Sequence, residues 1–324
     1  MMPYLYLMRP IKMKEIKIRK ETIVPVVAPL RQDLSLDEEA VARIFSYLYG
    51  NGVTPFILGT TGESASLSHT FKKAYLRAAV ANRPEGEKLY VGISSNILED
   101  SISFANLAFD LGVSEVAATL PTYYKLSDAQ IEKYYLDLAE EIKPNLIIYN
   151  IPATTHMSIP INLLDRLSRH PKIVAVKDSE RSMERVDQCL DLWRDRTDFK
   201  HYMGWAGACA HSLINGSSGI VPSSANFAPA IYRDMCIAVE RGDLESAYAL
   251  QKQSDDLGVL YQSNKSLGES LWALKILMKQ LGLCESYMMP PLYTLGQQEE
   301  EHILNAYQSL IAKDNIKLNL ISHA

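Results

Sequence analysis

The sequence predicts an α/β fold, a (β/α)8 TIM barrel with a C-terminal helical extension, and three observations carry that prediction. From residue 21 to about 240, short β-branched apolar runs alternate with longer amphipathic stretches, the pattern of a parallel sheet covered by helices. Eight such runs and eight such stretches fit into about 220 residues, the unit count and size of a closed barrel. After residue 241 the strand-like runs stop and only helical periodicity continues. An open doubly wound sheet shares the alternation, but eight units at this length favour closure.

The first strand is expected at 23–29, in Ile23-Val-Pro-Val-Val-Ala-Pro29, with a helix over 36–49. Ser35-Leu-Asp-Glu38 opens that helix as a capping box, a hydroxyl followed three residues on by a glutamate. Strand two (53–58) leads to a helix over 70–81, strand three (89–93) to one over 98–111, and strand four (115–120) to one over 128–142. A second capping box, Ser127-Asp-Ala-Gln130, marks the start of the last of these. Strands at 146–150, 173–177, 199–203 and 219–222 pair with helices at 161–167, 183–193, 209–215 and 228–241. Helices over 244–257, 268–281 and 299–312 complete the pattern, separated by turns such as Pro290-Pro291. They hold too few residues for a core of their own, so they are expected to pack on the barrel or on a neighbouring subunit. The chain thus divides into residues 1–20, a catalytic barrel over 21–241 and a helical region over 242–324. The first 20 residues carry an apolar patch and then six basic residues, the reverse of a secretory signal. They read as a disordered leader, or as a start placed upstream of a true one at Met13.

Composition narrows the function. Of 324 residues, 47% are hydrophobic and 22% charged, a globular balance, and the net charge of −5 offers no basic excess for nucleic acid. No apolar stretch approaches the roughly 20 residues that span a bilayer. The four cysteines, Cys189, Cys209, Cys236 and Cys284, show no C-x-x-C spacing, so free thiols in a reducing, cytoplasmic setting are expected. Among the seven histidines there is no H-E-x-x-H, no serine stands in a G-x-S-x-G elbow, and no G-x-G-x-x-G follows the first strand. Zinc hydrolases, serine hydrolases and dinucleotide enzymes are therefore disfavoured, and no metal site is expected.

Barrel enzymes place their reactive groups at the C-terminal ends of the strands. Lys177 ends Ile173-Val-Ala-Val-Lys177, and alternation puts Ile173, Ala175 and Lys177 on one face, toward a partly desolvated mouth. Burial disfavours an ammonium, which makes the amine available as a nucleophile toward a carbonyl. Taken alone, the segment equally fits a lysine that snorkels to solvent or pairs with Asp178 or Glu180. Tyr149 closes the preceding strand, where a phenol can carry protons or simply pack at the rim. Gly59-Thr-Thr-Gly-Glu63 follows strand two, and its glycines permit either a carboxylate-binding turn or a plain βα turn; it lacks the ending of a nucleotide P-loop. Pro121-Thr-Tyr-Tyr124 presents two aromatic hydroxyls after strand four, suited to packing or to an interface.

In order, Gly59-Thr-Thr-Gly-Glu63, Pro121-x-Tyr-Tyr124, Tyr149-Asn-Ile-Pro152 and Val176-Lys-Asp178 resemble the signature of the dihydrodipicolinate synthase and N-acetylneuraminate lyase superfamily, over about 23–229. The resemblance implies that Lys177 forms a Schiff base with pyruvate or another 2-keto acid and needs no cofactor beyond that covalent bond. It assigns Tyr149 as proton carrier, Thr60 as its relay, and Thr61 in the 59–62 turn (Gly59, Gly62) as binder of the substrate carboxylate. Gly204 and Val221, at the ends of strands seven and eight, are further expected binding positions. Tyr124 resembles a tyrosine that reaches into a neighbouring subunit's site, which implies a homodimer or homotetramer. Small-molecule 2-keto acids and aldehydes are the partners implied.

Departures from the pattern narrow the substrate. Where dihydrodipicolinate synthases carry an arginine five residues after the tyrosine, this chain has Thr154, which offers no guanidinium fork to a second carboxylate. Where sialic acid lyases carry acidic residues after strand seven, it reads Gly204-Trp-Ala-Gly207. The segments 123–127 and 224–229 are more similar to the branch that cleaves 2-keto-3-deoxy sugar acids, with Glu180 and Arg181 as candidate polyol or carboxylate contacts. The expected activity is a 2-keto-3-deoxy sugar acid aldolase. A true dihydrodipicolinate synthase, a keto-deoxy sugar acid dehydratase and a non-catalytic keto-acid sensor are the alternatives.

Overall fold

Consecutive strands pair in parallel and the eighth returns to the first, so the sheet closes on itself as the sequence predicts. The computed structural model describes residues 19–314; the expected leader up to residue 18 and the start at Met13 lie outside the described residues. In chain order the elements are β1 (Glu21–Pro25), α1 (Glu38–Gly50), β2 (Thr54–Ile57), α2 (His69–Ala81), β3 (Tyr90–Gly92), α3 (Leu98–Asp110), β4 (Glu115–Ala118) and α4 (Asp128–Glu141). They continue with β5 (Asn145–Asn150), α5 (Pro152–Thr155), α6 (Ile161–Leu167), β6 (Ile173–Asp178), α7 (Met183–Trp193), β7 (Lys200–Met203), α8 (Cys209–Ile214), β8 (Gly219–Ile220) and α9 (Pro229–Arg241). Helices α10 (Leu244–Gln262), α11 (Leu267–Gln280) and α12 (Gln297–Asp314) follow.

Alternation along the strands separates two apolar layers. Ile23, Phe56, Tyr90, Ala117, Ile147, Tyr149, Ala175, Tyr202 and Val221 fill the barrel interior. The opposite faces of the strands pack on the helices in a second, larger core, which also takes in Leu257, Tyr261, Trp272, Leu274 and Ile303 of α10–α12. The C-terminal helices therefore share the barrel's outer core. At the N-terminal end of the barrel, half-buried Glu21 accepts hydrogen bonds from the hydroxyls of Thr54, Tyr90 and Tyr202 (3.0–3.3 Å), which closes that end with a satisfied carboxylate.

Two local expectations need correction. Helix α1 is not capped by Ser35: Asp37 is the N-cap and accepts the Ala40 amide at 3.0 Å, while the Ser35 hydroxyl donates to Asp33. An aspartate two residues closer to the helix wins because its carboxylate reaches the free N–H groups directly and favours their positive end. The Ser127 box forms as expected, and Ser266 with Glu269 forms another at α11. Ile173 also leaves the face assigned to it. A bulge sets Leu146 opposite Ile173 but Ile147 opposite Ala175, so Val174 is the extra residue and Ile173 turns to the outer core. From Ala175 onward the alternation places Lys177 inward.

Candidate active site

The bulge matters because it delivers Lys177 to the barrel mouth in register with Tyr149, its direct partner across β5 and β6. Lys177 is only 5% exposed, and its Nζ lies 3.7 Å from the centroid of the Tyr149 ring and 5.0 Å from that of Phe56. The Tyr149 hydroxyl is 3.3 Å from Thr60 Oγ1, and it also meets the Ser179 side chain. Burial pushes the Lys177 ammonium below its usual range, against a smaller upward pull from Tyr149. Burial alone would raise the Tyr149 phenol, but the Lys177 charge and the hydrogen bonds from Lys177, Thr60 and Ser179 outweigh it and bring the phenol down. The pair is therefore poised to pass a proton, with the amine tending to its neutral, nucleophilic form.

Thr60 and Thr61 sit in a turn whose two glycines leave little room for a side chain. A Cβ on Gly62 would lie 3.0 Å from the Val26 carbonyl oxygen and 3.2 Å from the Leu58 nitrogen, both backbone; one on Gly59 would lie 2.9 Å from the Phe56 ring. The amides of Gly62 and Glu63 close the turn on the carbonyls of Gly59 and Thr60 at 3.1 Å each, so neither is left to bind a ligand. Thr61 is buried and Thr60 half-buried.

A cavity of about 460 Å³ adjoins Thr60 and Tyr149 and is lined also by Ser94, Thr119 and Thr154; Lys177 and Thr61 do not line it. Thr154 lies in α5, a single helical turn between β5 and α6; Pro152 at its first position starts it, and the Thr154 hydroxyl donates to the Ile151 carbonyl. Val221 is buried in the interior layer beside Tyr149 and Ala175. Gly204 abuts the strand that carries Lys177: its amide donates to the Asp178 carbonyl at 2.6 Å, and a Cβ there would collide with Ser179 Oγ. Tyr124 is not brought to the site within one chain. It is 74% exposed and packs edge-on against Tyr123, itself 80% exposed.

Sequence reasoning missed the support behind the pair. Asp178, next to Lys177, accepts Asn150 Nδ2 at 3.0 Å and the Glu180 amide at 2.9 Å through one oxygen, and Arg185 Nε at 2.7 Å through the other. Glu180 accepts from Ser158 at 2.6 Å and Asn150 at 3.1 Å and faces Arg185, so its Oε2, expected to meet a polyol, is held inside this network. Arg181 is exposed. Asn150 and Asp178 each directly follow a predicted catalytic residue, and that adjacency was the available signal.

The model of the dihydrodipicolinate synthetase family matches residues 19–310. An uncharacterized DapA-like lyase of Thermofilum pendens is 31% identical over 294 residues, covering 89% of this chain and 96% of its own. A probable 2-dehydro-3-deoxy-D-pentonate aldolase of Escherichia coli is 25% identical over 295 residues, 89% of this chain and 97% of its own. The dihydrodipicolinate synthase structure from Bacteroides thetaiotaomicron superposes with a TM-score of 0.85 at 28% identity, over 90% of this chain and 98% of that one. The barrel, its four ordered motifs and these likenesses agree: the chain is a lyase that belongs to the dihydrodipicolinate synthetase family.

Proposed function

We propose that the protein is a Schiff-base aldolase that cleaves or forms 2-keto-3-deoxy sugar acids, with pyruvate as one product or substrate. The observation that carries this reading is the Lys177 amine, buried at the barrel mouth against Tyr149, whose hydroxyl reaches Thr60. In the cleavage direction the neutral amine adds to the C2 carbonyl, and loss of water, with the added proton supplied by the Tyr149 phenol, leaves an iminium on Lys177 and a phenolate at Tyr149. Tyr149, relayed through Thr60, takes the proton from the C4 hydroxyl. The C3–C4 bond then breaks, its electrons neutralise the iminium as an enamine, and the aldehyde leaves. Protonation at C3 and hydrolysis release pyruvate and restore the amine, so no other cofactor is required. Thr61 and its turn orient the carboxylate.

Thr154 supports a hydroxylated rather than a carboxylate-bearing aldehyde, because an uncharged side chain stands at the cavity wall where a synthase places arginine. The aldolase name of the Escherichia coli relative agrees with that choice. Exposed Tyr123 and Tyr124 support a homodimer or larger assembly in which Tyr124 completes a neighbouring site. The four cysteines are free and buried, in keeping with a cytoplasmic setting. The test is borohydride reduction in the presence of pyruvate followed by peptide mapping, then assay of pyruvate release from 2-keto-3-deoxy sugar acids. An adduct on Lys177 with pyruvate release supports the reading. Turnover of pyruvate with aspartate semialdehyde in its place would make the enzyme a synthase, and a folded protein that forms no adduct would remove the mechanism.

A further inference from the structure

One member of the glycine-flanked turn has no part in the chemistry above. Glu63 ends the turn with its side chain fully buried, and its Oε1 lies 2.5 Å from Nζ of Lys275, also fully buried, in the middle of α11. The other carboxylate oxygen accepts the Met289 amide at 2.8 Å, and Lys275 Nζ donates to the Tyr287 carbonyl at 2.7 Å. Two opposite charges with no solvent thus join the loop after β2, helix α11 and the segment that follows it.

We propose that Glu63 and Lys275 are positioning residues: through their ion pair the C-terminal helices hold the turn that carries Thr60 and Thr61, and so set the affinity for the keto-acid carboxylate. This inference rests on the function proposed above. Three observations carry it. Glu63 adopts a left-handed backbone, φ 54°, which an L-residue keeps only when its surroundings impose it. Its amide is bonded to the Thr60 carbonyl, so a shift of Glu63 moves the residue that holds the Tyr149 hydroxyl. Leu267, Gly268 and Leu271 at the start of α11 line the same cavity as Thr60, so the helix that supplies the tether also walls the site. A pair of buried ions gives little net stability over a packed apolar pair, because desolvation consumes the Coulombic gain, but its short range and hydrogen bonds define position sharply.

That asymmetry supplies the test. Glu63→Gln alone strands the Lys275 charge and can unfold the chain, so the informative protein is the double variant Glu63→Gln, Lys275→Met, which removes both charges and keeps the volume. Its thermal unfolding is expected to match the parent's, while the amides of residues 61–64 exchange with deuterium about tenfold faster or more. Displacing a binding group by a fraction of an ångström to one ångström costs up to about 100-fold, so the pyruvate concentration that half-saturates borohydride trapping at Lys177 is expected to rise about 10- to 100-fold. The trapped fraction at saturating pyruvate should stay unchanged, since the amine and phenol remain. A folded double variant with parental exchange overturns the proposal, and so does one whose half-saturating pyruvate stays within twofold. If the parent itself traps no pyruvate, the aldolase reading fails instead, and the exchange of residues 61–64 still decides whether the pair holds the turn.

Discussion

Removing the Tyr149 hydroxyl separates the two halves of the proposed chemistry. In Tyr149→Phe the ring keeps its place beneath Lys177 and against Phe56, since the hydroxyl is the sole group lost. Its hydrogen bonds with Lys177, Thr60 and Ser179 go with it, and because half-buried Thr60 can turn to water the loss of stability should be about 1 kcal/mol. Catalysis should suffer far more. A positioned proton carrier contributes about 10²–10⁴ in rate, which is about 3–5 kcal/mol of barrier. Schiff-base formation should survive, because burial sets the Lys177 amine low and Tyr149 only pulls it upward. Without the phenol the neutral amine becomes more abundant at neutral pH. The assay compares pyruvate release from a 2-keto-3-deoxy acid with borohydride trapping of pyruvate on the same preparation. Loss of release with trapping retained is the expected pattern. A folded variant that turns over within fivefold of the parent, or that no longer traps, refutes the division of labour.

Lys177→Met should abolish trapping and raise stability by about 1–2 kcal/mol in urea denaturation, because it removes a buried group whose charged form the fold disfavours. The same linkage gives the parent a stability that rises as pH climbs toward the lysine's unfolded value, since the unfolded chain binds the proton more readily; the variant should lose that slope, and a less stable variant would contradict it. His201 is buried and held down at about 4 from 6.5, so as pH falls from 6.5 to 4 the unfolded chain protonates first. Stability should drop by about 1.4 kcal/mol per pH unit across that window, about 3 kcal/mol in all, and His201→Gln should flatten the curve. Gly204→Ala drives a methyl group into Ser179 and to 2.9 Å from the Asp178 carbonyl oxygen. It should cost about 1–3 kcal/mol and lower turnover by disturbing Ser179 beside the phenol, whereas wild-type melting and activity would mean that the backbone yields freely there.

Much of this molecule is legible in one dimension because its determinants are local. Strand alternation, helical periodicity and the Ser127 box lie within windows of a few residues, and each reappears in the fold. The structure departs from the sequence pattern where two local signals compete or where none exists. Ser35 and Asp37 both fit an N-cap, and which one meets the first free amides depends on where the chain leaves β1. The strand before Lys177 reads as plain alternation, yet a bulge at Val174 is needed to fit β6 to β5, and no residue type announces it.

By itself, then, the order of residues determined the closed barrel, a lysine and a tyrosine at adjacent strand ends, and the glycine-bounded turn beside them. Those follow from period, spacing and steric demand, which act between near neighbours. Only the tertiary structure decided what surrounds them: Ser179 on the phenol, Glu180 held by Ser158 and Asn150, and Lys275 on Glu63. Lys275 stands 212 positions from Glu63, and in sequence it is an ordinary helix lysine. Its role comes from desolvation, which makes any buried charge seek a counter-charge, and desolvation exists only once the chain has folded.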